Sequence, residues 1–136
     1  ALDLIDKNSL AYEAVEVGKK FVNQSASNLH DHYGDMSPVH SLNNLAVVIW
    51  AFLSFQDSFD EAIGETICCG WDTDCTGATV GGLIGLDKGS IPESWTDPWQ
   101  GRVNTAIAGV GELKLEDLVE RTCKLVDQFS SESDMD

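Results

Sequence analysis

Basic residues are scarce in this chain. Its 136 residues hold 8 Lys+Arg against 23 Asp+Glu, for a formal net charge of −15. Recognition of a nucleic-acid backbone runs on lysine and arginine contacts to phosphate, so this deficit excludes nucleic acid as a partner. Long apolar runs are also missing. None reaches the ~20 residues that a membrane-spanning helix needs, which excludes a membrane-embedded role. The four cysteines, Cys68, Cys69, Cys75 and Cys123, include no C-x-x-C pair. That spacing excludes an ordinary zinc site and offers no disulfide framework, and free thiols in a reducing cytoplasm are the expectation. No G-x-S-x-G, P-loop or dinucleotide fingerprint occurs. The opening ALDLIDKNS carries neither an initiator Met nor a basic-then-apolar leader, so a cut or processed start is expected.

What is present reads as helix nearly throughout. The hydrophobic content of 43% fits a folded domain with a sizeable core. Residues 10–22 place Leu10, Ala14, Val17 and Phe21 on one stripe behind Ser9 as N-cap. Residues 23–37 are polar and allow a short helix and a loop. The segment 42–55, LNNLAVVIWAFLSF, is apolar almost all round, as a buried helix is. Ser58 and Glu61 form the S-x-x-E of a capping box ahead of a helix over 59–69, and Gly70 ends it. A further helix spans 76–87, where Gly77, Gly81 and Gly85 recur every four residues. That row leaves one face bare for the close approach of a helix or a ligand. The Trp95/Trp99 segment reads as a loop with aromatic anchors. Two last helices are expected near 101–110 and 115–129, the second carrying Leu118, Cys123 and Val126, before a disordered acidic tail over 130–136. No alternating strand pattern stands out, so the fold class is all-α.

Between the helices 59–69 and 76–87 lies GWDTDCTG, with Asp72 and Asp74 one residue apart. Either aspartate suits a helix N-cap. Two carboxylates between apolar helices are also costly unless a cation sits with them, and a hard divalent ion with oxygen ligands supplies one. The D-x-D-x-T-G spacing invites comparison with a calcium-binding EF-hand loop. Its twelfth position would require a bidentate acid, and counting from Asp72 that position is Leu83. The EF-hand reading fails, while the hydroxyls of Thr73 and Thr76 stay available near the carboxylates.

The string Gly70-Trp71-Asp72-Thr73-Asp74-Cys75-Thr76-Gly77-Ala78-Thr79-Val80-Gly81, continued by Gly82-Leu83-Ile84-Gly85, Ile91-Pro92 and Trp95, closely resembles the C-terminal motif of the ADP-ribosylglycohydrolase family. The upstream His40-Ser41-Leu42-Asn43-Asn44, entering an apolar helix, is similar too, and the resemblance covers roughly residues 36–128. It implies an orthogonal helical bundle and a hydrolase that removes ADP-ribose from modified protein side chains or related acceptors. It further implies a pair of Mg²⁺ or Mn²⁺ ions, with Asp72 and Asp74 as metal ligands. The family's usual third ligand is a threonine after the second aspartate, and Cys75 stands there, so either Cys75, Thr76 or water fills that place, with Cys75 otherwise only packing, or the second metal is weakened. His40, Trp71 and Gly77 are the implied substrate-binding residues. No catalytic acid or base is identified in this chain.

Family members are typically longer, and their N-terminal half brings a G-D-A-x-G-like stretch and a T/S-D-D cluster of further ligands. Neither occurs in residues 1–65. The chain is therefore expected to be the C-terminal part of such an enzyme, inactive alone. Its expected partner is the N-terminal portion of the same protein or a second copy, recruited by apolar faces left bare on helices such as 42–55. A non-catalytic structural or binding relative of the family is the rival reading, for which the Cys75 departure leaves room. His30 and His32, two residues apart, are poorly spaced for a helical metal pair. Trp95 and Trp99 suit packing better than stacking on a base.

Overall fold

The computed structural model describes residues 4–133, except for the side chains of 131–133. Seven α-helices and one small hairpin make up these residues, so the class is all-α as the sequence implies. The chain divides into two compact units, one running to Ile91 and the other beginning at Pro92.

The first unit is built around one apolar helix. Helix α1 is Leu10–Lys20, α2 Ser27–Tyr33, α3 Ser41–Phe55, α4 Phe59–Cys69 and α5 Thr73–Lys88. Helix α3 buries Ala46, Val47, Val48, Trp50 and Ala51, and α1, α4 and α5 pack against it. Leu29 from α2, Ala62 from α4, and Val80 and Ile84 from α5 complete this core. Local chemistry sets the helix starts. Ser9 Oγ accepts the Tyr12 N–H at 3.1 Å, and Ser58 Oγ accepts the Glu61 N–H at 3.3 Å. The capping box at Ser58 is half made, because the Ser58 N–H donates to the Phe55 carbonyl at 3.0 Å. Gly70, at φ +83°, closes α4 by donating its N–H to the Ile67 carbonyl at 3.0 Å.

Packing decides two points against the sequence reading and shows how far α3 is covered. On α1, Ala14, Val15, Val17 and Gly18 are buried while Leu10 is 64% exposed. The stripe turns because the backbone at Gly18 lies directly on α3. A Cβ there would stand 2.6 Å from the Ala46 carbonyl oxygen and 2.8 Å from Ile49 Cβ. On helix α3, α1, α4 and α5 cover the buried side, while Leu53 is 37% exposed and Leu45, Ile49 and Phe52 are half-buried. Helix α5 starts at Thr73, ahead of the expected residue 76, so Asp74 and Cys75 belong to its first turn.

The second unit opens with the single-turn α6, Glu93–Thr96, and a 3-10 turn at Asp97–Trp99, where a loop is expected. The Trp99 indole N–H donates to the Trp95 carbonyl at 2.7 Å. The expected helix near 101–110 is not formed. Strand β1 (Arg102–Asn104) pairs antiparallel with β2 (Glu112–Lys114), with Val103 opposite Leu113 and an Arg102–Glu112 ion pair across the ladder. Gly101, Gly109 and Gly111 take φ values of +67°, +79° and +61°, which a continuous helix does not admit. Helix α7 then runs Leu115–Ser133, past its expected end at 129. The remainder of the expected disordered tail, 134–136, lies outside the described residues. Val119, Leu125 and Val126 on α7 are each more than half exposed.

Candidate metal centre

Two successive residues with positive φ carry the chain from α4 into α5: Gly70 at +83° and Trp71 at +60°. A bulky residue rarely adopts that region, so its surroundings must hold it there. The His30 ring lies against the Trp71 indole, with centroids 4.2 Å apart, and Tyr33 meets it edge-on at 6.1 Å. His30 also donates from Nε2 to the Cys69 carbonyl at 2.7 Å. Helix α2 thus clasps the end of α4 and the turn beyond it.

A second tether comes from the start of α3. The Asp72 N–H donates to Asn44 Oδ1 at 3.3 Å, while Asn44 Nδ2 donates to the carbonyls of Pro38 and His40, each at 2.8 Å. Neighbouring Asn43 is fully buried and donates to the Ser37 carbonyl at 3.1 Å. The two asparagines fix where Asp72 sits relative to α3. In the sequence Asn44 stands out only as a neighbour of His40, because its bond to Asp72 spans 28 residues.

Asp72 holds the N-cap position of α5, yet its carboxylate accepts no capping hydrogen bond. It faces its own neighbours instead. The ligand atoms of Asp72, Asp74 and Cys75 all lie within 4.8 Å of one another, with Asp72 half-buried and the other two exposed. The Asp74 carboxyl is held below the ordinary carboxylate range, first by its hydrogen bond with the Asp72 carboxyl and then by the N–H groups of Asp74 and Cys75. The Cys75 thiol is pushed the other way, first by its hydrogen bond with Asp72 and then by the charges of Asp72 and Asp74. Two carboxylates and a thiol so close together repel when ionised, and a cation among them removes that repulsion. The donor set fits a divalent ion, and the exposed side leaves coordination positions open.

The other expected residues fall elsewhere. Thr76 is buried, and its hydroxyl donates back to the Asp72 carbonyl at 2.9 Å, while the exposed Cys75 sulfur lies with the aspartate oxygens; both residues line a pocket beside the cluster. Gly77 faces α4, where its missing Cβ would stand 2.9 Å from Ile67 Cδ1, and Gly81 likewise meets Ile63 at 3.3 Å. At Gly77 and Gly81 the bare row of α5 therefore accommodates α4, while Gly85 faces Ile91 at 3.1 Å. His40 is exposed and caps α3, its Nδ1 accepting the Leu42 N–H at 3.2 Å. The half-buried Trp71 has one face against His30. All four cysteines are free thiols.

Beside the cluster lies a pocket of about 230 Å³, lined by residues that include Ser41, Asn44, Leu45, Val48, Cys75 and Thr79. This is smaller than the ~300–1,000 Å³ typical of whole-ligand sites. A separate pocket of about 240 Å³ lies among Leu10, Glu13, His32, Tyr33 and Met36. Among the described residues, no helix is long and apolar enough to cross a membrane. Comparison with curated proteins and with solved structures gives no match. The sequence model of the ADP-ribosylglycohydrolase family does match, over residues 3–133. With nearly its whole length matched, the chain belongs to the ADP-ribosylglycohydrolase family.

Proposed function

We propose that this chain is the metal-binding C-terminal part of a divalent-metal-dependent hydrolase that removes ADP-ribose from modified protein side chains or related acceptors. The convergence of Asp72, Asp74 and Cys75 within 4.8 Å at the start of α5 carries this reading, and the family match supports it. The ions proposed are Mg²⁺ or Mn²⁺, as a pair. Among the described residues no second group of three ligating side chains accompanies the first. The N-terminal portion of the same protein, or a second copy of the chain, is proposed to supply the remaining ligands and the acid–base residues. The chain by itself is then inactive, and a cytoplasmic setting suits its free thiols.

The bond to be broken joins the anomeric ribose carbon to its acceptor, and positive charge develops on the sugar as it breaks. Asp72 and Asp74 serve charge and geometry, holding a fixed anionic patch at a rigid helix start. Asn44 and Trp71 keep that patch in register with α3 and α2. The pocket beside Cys75 has room for a ribose-sized fragment at the metal edge. A bound metal pair would contribute by engaging ribose hydroxyls and lowering the pKa of an attacking water.

Calorimetric titration of the chain with Mn²⁺, alongside Asp72→Asn, tests the reading. Weak binding that disappears in the variant and tightens when the N-terminal portion is added supports a shared site. Two tight sites in the chain alone would show that the cage is complete within these residues. No binding in either circumstance would refute the metal-dependent reading.

A further inference from the structure

We propose that the pocket between α1, α2 and α3 binds a primary alkylammonium group, its charge against Glu13 and its methylenes along Leu10, Ala14, Met36 and Leu42. The inference does not depend on the metal centre. Local structure assembles the pocket from three parts of the chain. On α1, Glu13 and Ala14 stand three and four residues after Leu10 and so share its face. Helix α2 ends on His32 and Tyr33, and Gly34, at φ +53°, turns the chain so that the Met36 N–H donates back to the Tyr33 carbonyl at 3.2 Å. Leu42 comes from the first turn of α3. The cavity they enclose is about 240 Å³. That is room for one side-chain-sized group and is too small for a whole cofactor.

Charge selects the occupant. Among the described residues the lining holds one carboxylate, Glu13, and neither lysine nor arginine. Glu13 has no ion-pair or side-chain hydrogen-bond partner among those residues, whereas Glu16, three residues on, is paired with Lys19. Burial raises the pKa of the Tyr33 phenol, and the Glu13 charge raises it further, so carboxylate and phenol face the same space with the phenol neutral. The Tyr33 ring is held edge-on by His32 at 4.8 Å and by Trp71 at 6.1 Å. An ammonium brings three donors and no acceptor, and a carboxylate, a phenol oxygen and a neutral imidazole nitrogen can all accept from it. An anion would meet Glu13 with no cation to offset it, and a wholly apolar group would strip water from that carboxylate without replacing its hydrogen bonds.

Two-dimensional ¹H–¹⁵N NMR of the chain, titrated with n-butylammonium at constant ionic strength, tests the site. The expected result is saturable shifts centred on the amides of Glu13, Tyr33 and Met36, with a Kd on the order of millimolar. Neither n-butanol nor n-butyrate reproduces them. Glu13→Gln, a change at an exposed side chain, keeps the folded spectrum and weakens n-butylammonium by at least about tenfold. Nα-acetyl-lysine methylamide separates the two sources of such a group. Binding as tight as n-butylammonium means that a lysine of a polypeptide enters, and binding of n-butylammonium alone means a free amine. Equal shifts from n-butanol, shifts that survive Glu13→Gln, or shifts spread over the acidic surface without saturation overturn the proposal. So does the absence of shifts at about 50 mM n-butylammonium.

Discussion

Cys68 and Cys69 are adjacent on α4, yet the first is exposed and the second is 4% exposed within the core cluster. Burial pushes the Cys69 thiol up to about 11, and the carboxylates beside Cys75 raise that thiol too. Only the thiolate attacks an alkylating agent, so reactivity follows the ionised fraction and access. At pH 8, mass spectrometry after brief iodoacetamide treatment should find Cys68 and Cys123 modified first, Cys75 later and Cys69 untouched. Adding denaturant should make all four react. The Cys69 shift also has a pH consequence. An unfolded thiol ionises near ~8.5 whereas the folded one stays protonated, so the unfolded state binds fewer protons above that point. Stability should therefore fall as pH rises from about 8.5 towards 11, the folded value. Urea midpoints across that window check the sign, with Cys69→Ala flattening this part of the profile.

At the scale of elements, two glycines test how close helices come. At Gly18 an added methyl meets the Ala46 carbonyl oxygen at 2.6 Å and Ile49 Cβ at 2.8 Å, a wall of backbone and Cβ that cannot step aside. At Gly77 it meets only the tip of Ile67, a side chain that is 44% exposed and free to turn. Gly18→Ala should destabilise the fold by about 1–3 kcal/mol through overpacking. Gly77→Ala should be neutral or stabilising, by up to about 1 kcal/mol, through helix propensity. Urea denaturation of the two variants makes the comparison. The segment 101–110 shows how local patterns mislead at this scale. Val103 and Ile107 are four apart and satisfy a helical period, but Val103 faces Leu113 across a ladder instead. The positive φ values at Gly101, Gly109 and Gly111 are conformations that glycine permits without requiring, so a helix was expected where a hairpin forms.

Taken whole, the molecule distributes its burial unevenly. Its hydrophobic core cluster lies within residues 17–84, centred on α3, whereas every side chain described in α7 is exposed or half-exposed. Local opening costs least where few apolar contacts must break. Hydrogen exchange followed by mass spectrometry should find α3 amides protected at least about 100-fold more than those of α7. Equal protection would mean that α7 is covered in solution, as expected if a second copy or the N-terminal portion packs on Val119, Leu125 and Val126.

The sequence alone determined whatever depends on neighbours along the chain. Ser9, Ser58 and Gly70 mark helix ends through bonds within one turn. The all-apolar run of α3 identified the central helix. Asp72, Asp74 and Cys75 sit within four consecutive residues, so one helical turn brings them together and the family motif was readable as a string. Tertiary structure decided what depends on distant partners. Asn44 reaches Asp72 across 28 residues, and His30 reaches Cys69 across 39. It also set the different surroundings of the adjacent Cys75 and Thr76. The geometry of α5 turns one hydroxyl inward to the Asp72 carbonyl and leaves the neighbouring thiol outside with the carboxylates. Successive helical positions point about a quarter-turn apart, so which of them faces the site follows from where α5 begins and which of its faces α3 and α4 bury.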